Sequence, residues 1–231
     1  MRIRIEDAQP GPPDELLVAL LTGTLSQPED FVRERFVQAA RDRGVRAEFA
    51  LVGTPAARVA DGTVADVLEQ SLWAPARARG RRRLWLAGIS LGGLAAMAYA
   101  VRYPQAIAGL VLLAPYPGSR DWLRRLDAGG GLASLAGPPR EPPDAECDAW
   151  SWLANAGSRT DPPTYLLYGK SDRFAEGHAR IARALPPAHV DPVEGAHDWP
   201  TWRRAWDRFL ATRATELGGV RDEAGFAPVS P

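Results

Sequence analysis

The stretch LWLAGISLGGLAAMAYA, from Leu84 to Ala100, constrains the chain more than any other. It begins as an unbroken apolar run of strand length and ends as a small-residue segment of helical character. At the junction stand Gly88, Ser90, Gly92 and Gly93. Glycine weakens strands and helices alike, so this cluster answers a need other than packing. A nucleophilic serine projects from a tight strand-to-helix turn that strains its backbone and leaves no room for neighbouring side chains. Gly88 and Gly92 supply that room. The helix that starts here aims free backbone amides and the positive end of its dipole at the place where an oxyanion would develop. A G-x-S-x-G arises by chance in roughly one chain in twelve of this composition. The strand before it and the helix after it therefore carry the argument, because they are the setting that the chemistry demands.

With 231 residues, 45% of them hydrophobic, and eight tryptophans, the chain can bury one sizeable core. Further apolar runs end at Leu21 (ELLVALL), Val52 (RAEFALV), Ile89 (RLWLAGI), Ala114 (GLVLLA) and Gly169 (TYLLYG). A weaker run, HVDPVEG, ends at Gly195, and RIRIE near the start can add an edge strand. Amphipathic segments alternate with these runs. The pattern predicts an α/β fold: a doubly wound, mostly parallel sheet of about six to seven strands with helices on both faces. PEDFVRERFVQAARDRG predicts a single helix, and others are expected over 64–79 and from Ser90 to about Tyr103. A last helix aligns Trp199, Trp202, Trp206 and Phe209 on one face for core packing. Residues 1–218 are expected to form one domain, followed by a disordered tail over 219–231.

Between residues 115 and 163 the texture turns irregular and rich in proline and glycine. One reading is a variable surface loop. The other is a short cap that shapes a substrate pocket with Tyr116, Trp122, Trp150 and Trp152.

A serine hydroxyl is a poor nucleophile until a base takes its proton, and histidine suits that task near neutrality. Of the three histidines, His178 falls within the helical stretch EGHARIARAL and His189 within or just before the last strand. His197 instead follows that strand on a loop, at the sheet edge where open parallel sheets gather their ligands. Asp172, just after the preceding strand, is the candidate acid that would orient His197, although a turn aspartate there would also cap the next helix. Asp198 and Asp161 are weaker candidates, since neither follows a strand end in this way.

With 28 basic and 28 acidic residues, the chain shows no overall attraction to nucleic acid or to an acidic membrane. The local ARARGRRRL lacks interleaved aromatic residues and reads as a solvated helix end. The lone Cys147 excludes an intramolecular disulfide and a multi-cysteine metal site. No signal core or membrane span is evident, so a cytoplasmic protein is expected, with a homodimer left open.

The chain resembles the α/β-hydrolase superfamily through GISLGG for the nucleophile turn, YGKSDRF for the acid and GAHDW for the base, in the order Ser90, Asp172, His197. GAHDWPTW also resembles, locally, the group that includes S-formylglutathione hydrolases and simple acyl esterases. The resemblance implies a serine hydrolase acting through an acyl-enzyme on a small ester or thioester, with neither organic cofactor nor metal. It further implies an oxyanion hole from the amides of Leu91 and Thr24, with Leu25 second to Thr24 for that role and placed among the substrate-binding residues. Thr22 departs from the histidine common at its position. A short insertion implies small acyl groups. A noncatalytic ligand-binding protein on the same scaffold is the alternative.

Overall fold

The computed structural model describes residues 1–6, 15–139, 141–156 and 162–218. Asp161 and the 219–231 tail lie outside them. The strands are β1 (Arg2–Glu6), β2 (Leu16–Leu21), β3 (Glu48–Gly53), β4 (Arg83–Ile89), β5 (Ile107–Leu113), β6 (Thr164–Gly169) and β7 (Val190–Val193). They form one sheet in the order β1-β3-β2-β4-β5-β6-β7, antiparallel only at β1. β2 is flanked by β3 on one side and β4 on the other, so the chain reverses its direction of travel across the sheet there. Such a switch opens a crevice at the carboxyl ends of the strands. Leu21 pairs with Gly88, which brings the loop after β2 beside the end of β4.

Because side chains alternate along a strand, each buried strand feeds two cores. Leu17, Ala19, Leu21, Leu84, Leu86, Leu110 and Leu112 face one layer of helices. Val18, Leu20, Phe49, Trp85, Val111 and Leu113 face the other. The first layer holds α6 (Leu91–Arg102), α8 (Ala145–Ala156) and α9 (Ala175–Arg183). The second holds α1 (Pro28–Arg33), α2 (Phe36–Arg41) and α10 (Trp199–Arg213), whose Trp202, Trp206 and Phe209 are buried.

The helix expected over PEDFVRERFVQAARDRG is two helices, α1 and α2, broken where Arg35 takes a left-handed φ of 58°. Phe31 and Phe36 explain the break. In a continuous helix they would point about 140° apart. With the break both are fully buried, their ring centroids 5.3 Å apart. After a short α3 (Ala56–Ala60), the second expected helix is present as α4 (Val64–Leu68) and α5 (Ala74–Ala78), joined by a π-helical turn over Glu69–Trp73. Pro75, with no amide hydrogen for the α pattern, follows that turn.

The insertion is more regular than its composition suggests. It holds α7 (Arg120–Ala128), a 3-10 turn over Leu132–Leu135, and α8 packed along α6. Arg102 Nε donates to Asp148 Oδ2 at 2.6 Å and ties the two helices. No helix among the described residues is long and apolar enough to cross a membrane.

Candidate active site

β4 delivers its last residue, Ile89, into a turn at which Ser90 adopts φ 51° and ψ −115°. A side chain on Gly88 would collide with the carbonyl of Gly92, and one on Gly92 with the carbonyl of Leu21. The turn therefore closes only with glycine at both places. α6 starts at Leu91; its Gly93 and Leu94 amides donate to the Ser90 carbonyl, and the Leu91 and Gly92 amides, next in the chain to Ser90, have no partner within the helix. Backbone bonds from Ser90 N–H to Leu113 (3.0 Å) and from Tyr116 N–H to the Ser90 carbonyl (2.8 Å) hold the strained residue in place.

The loops after β6 and β7 bring the other two groups. His197 Nε2 lies 3.0 Å from Ser90 Oγ, and His197 Nδ1 lies 2.7 Å from Asp172 Oδ2. An ionised carboxylate only accepts, so Nδ1 carries the ring hydrogen and Nε2 is free to accept from the serine hydroxyl. Phe174 and Trp202 meet the imidazole edge-on, each with centroids 5.1 Å away, and fix its plane. Asp172 also accepts from the Phe174 amide at 2.8 Å through Oδ1. Asp172 thus holds the histidine and closes a local turn, but it does not cap α9, whose N-terminal position is Phe174 with no side-chain cap. Burial alone would raise its pKa; the hydrogen bonds from His197 and Phe174 outweigh that and hold the carboxyl below its usual range. Asp198 is occupied elsewhere, capping α10 through Thr201 N–H at 3.0 Å. His178 is fully buried in α9, and His189 ends a 3-10 turn before β7.

Two cavities, each of about 480 Å³, share Tyr116 in their walls. Thr24 and Leu91 line the first, together with Val59 and Leu94 and the carboxylates of Asp61, Asp144 and Glu146. Burial, and secondarily the nearby Asp144, raises the Glu146 carboxyl. The second runs past Phe174 and is lined by Arg120 and Arg173. The loop carrying Thr24 passes close over Ser90: a methyl group on Gly23 would stand 3.4 Å from the Ser90 Cβ. Thr22, buried, accepts from the Thr54 amide at 3.0 Å and so pins this loop to the one after β3.

Four of the expected pocket residues are placed otherwise. Leu25 is 96% exposed, because a turn closed by Ser26 N–H and the Gly23 carbonyl throws its side chain outward. Trp150 and Trp152 are buried on α8, their indoles donating to the Pro117 carbonyl (2.8 Å) and to Thr164 Oγ1 (3.3 Å). They clamp the insertion to the scaffold. Trp122 lies against Gly118 and lines neither cavity. Tyr116 alone of that set reaches the site, packing edge-on to Phe174. Phe174, Leu94 and the acidic rim had no place in the sequence reading, and Trp202, expected only in the core, also packs on His197. Leu94, one turn after Leu91, and Phe174, two residues after Asp172, carried a positional signal; Asp61 and Glu146 carried none. Among the described residues no group of His, Cys, Asp or Glu is arranged to hold a metal.

A family model described as serine aminopeptidase, S33, matches residues 60–132, which include the Ser90 turn. No curated protein matches the sequence. Among solved structures, the chain is similar to FphF, a fluorophosphonate-binding serine hydrolase of Staphylococcus aureus, at 18% identity and a TM-score of 0.65, covering 92% of this chain and 91% of that one. It is similar to an S-formylglutathione hydrolase from Staphylococcus aureus at 17% identity and a TM-score of 0.68, covering 92% of each. A monoacylglycerol lipase of Paleococcus ferrophilus matches at 16% identity and a TM-score of 0.61, covering 94% of this chain and all of that one. At these identities the likeness is one of fold. The chain has the α/β-hydrolase fold.

Proposed function

We propose that this chain is a serine hydrolase that cleaves a small carboxylic ester or thioester through an acyl-enzyme. The observation that carries the reading is the unbroken hydrogen-bond chain from Ser90 Oγ through His197 to Asp172, located at the amino end of α6. Ser90 Oγ attacks the carbonyl carbon while His197 Nε2 takes its proton. The ionised Asp172 stabilises the imidazolium so formed. The Leu91 amide, with that of Thr24, receives the developing oxyanion. His197 then returns the proton to the departing alcohol or thiol, and water repeats the sequence in reverse to release the acid. The cavity of about 480 Å³ beside Leu91 and Leu94 suits a short acyl arm.

The test is intact mass after treatment with a fluorophosphonate. Stoichiometric labelling that is lost in Ser90→Ala is expected. Native protein that stays unlabelled, with the probe shown to reach the cavity, rules the reading out in favour of a noncatalytic ligand-binding protein.

A further inference from the structure

The two cavities at Tyr116 differ in charge. The one beside Thr24 and Leu91 is lined by three carboxylates and by no cationic residue. Asp144 accepts from the Cys147 amide, Glu146 from the Ser119 amide, and Asp61 pairs with Arg58 at 3.0 Å. An anionic arm entering there meets like charge at each side of the wall. The other cavity carries Arg120 and Arg173, and neither guanidinium has an ion-pair partner among the described residues. Its carboxylates are Asp172, already held by His197 and the Phe174 amide, and Glu176, exposed in the first turn of α9.

The chemistry decides which arm goes where. His197 gives its proton to the leaving atom, so the leaving group must depart on the histidine side. Phe174 meets His197 with ring centroids 5.1 Å apart, and the Arg173 guanidinium lies 4.8 Å from the centre of the Phe174 ring. A leaving group that extends from the reacting carbonyl along Phe174 therefore ends at an unpaired guanidinium. We propose that the cavity lined by Arg120 and Arg173 is the subsite for a leaving alcohol or thiol that bears a carboxylate, and that the acid-lined cavity takes an uncharged acyl arm. This rests on the hydrolase reading above. In the step itself the bond from Ser90 Oγ to the acyl carbon forms, the bond from that carbon to the leaving oxygen or sulfur breaks, and the proton on His197 Nε2 goes to the leaving atom. The arginines act by holding the carboxylate, which lowers KM more than it raises kcat.

The experiment compares S-acetyl-3-mercaptopropionate with its uncharged partner, S-acetyl-3-mercaptopropionamide, by thiol release at low ionic strength. The full chain should favour the carboxylate by about tenfold in kcat/KM, and added salt should shrink the preference. Arg120→Gln combined with Arg173→Gln should bring the ratio close to one. Arg173→Glu should invert it, and Glu176→Gln should enlarge it. Arg173→Lys should keep most of it. A ratio that survives the double substitution, both rates falling together, shows a merely structural role and overturns the proposal. So does equal turnover of the two compounds, or turnover of neither by protein whose Ser90 reacts with fluorophosphonate. Failure of the hydrolase reading itself looks different, because Ser90 then takes no label.

Discussion

Two imidazoles lie near Asp172, and the loop after β7 and the helix α9 treat them differently. His197 hangs on the loop, with 8% of its side chain exposed and one ring nitrogen facing Ser90. His178 is fully buried, donates from Nε2 to the Pro115 carbonyl at 2.9 Å, and has no hydrogen-bond partner for Nδ1 among the described residues. Burial, ahead of every other influence, lowers its pKa. At His197 one ring nitrogen is oriented by a carboxylate and the other is turned to the Ser90 hydroxyl. At His178 the same ring is a strut, locked under the turn that follows β5.

The comparison can be broken in order of effect. His197→Ala should lower kcat/KM by about 10³-fold or more with the fold intact by circular dichroism. Retention of more than a tenth of the activity would make the base another group. Asp172→Asn keeps the shape but leaves His197 Nδ1 facing an amide, and kcat should fall by about 10²- to 10⁴-fold. A loss below tenfold would reduce Asp172 to its hydrogen bond with the Phe174 amide. His178→Ala should do the opposite of His197→Ala, costing about 2–4 kcal/mol in urea unfolding while kcat of the folded protein stays within a few-fold. Smallest is the pH effect. Since His178 has a lowered pKa when folded and an ordinary one near 6.5 when unfolded, only the unfolded chain binds its proton as pH first drops below about 6.5. Its contribution is complete above that pH and is lost going down, by at most about 1.4 kcal/mol per pH unit. Unfolding free energies at pH 7.5 and 5.5 should therefore differ more in the native chain than in His178→Phe.

Much of this layout was legible because buried parallel strands leave continuous apolar runs, as LLVALL and RLWLAGI do, and because Gly88 and Gly92 answer a local steric need that a sequence can display. The meeting of Ser90, Asp172 and His197 was legible for a related reason: each stands just past a strand, and strand ends share one edge. The break at Arg35 was not, since helical propensity runs on through Glu34 and Phe36 while the packing of Phe31 against Phe36 decides otherwise. Trp150 and Trp152 were misplaced because a tryptophan announces burial without naming its partner. Theirs are Pro117 and Thr164, one of them brought close only by the turn of the chain that starts the insertion. The charged walls of the two cavities come from segments far apart in sequence and had no local signature at all.

The short run from Pro115 to Pro117 is tied to the Ser90 turn and to the helices around it. Pro115 fills the space over Gly93, Tyr116 holds the Ser90 carbonyl, and Pro117 packs on Gly177 and receives the Trp150 indole. For anyone grafting the insertion of another protein onto this scaffold, the seam therefore belongs after Pro117. A splice three residues earlier would carry off part of the machinery that keeps Ser90 in its unusual backbone state, and the chimera would inherit a new roof at the expense of its floor.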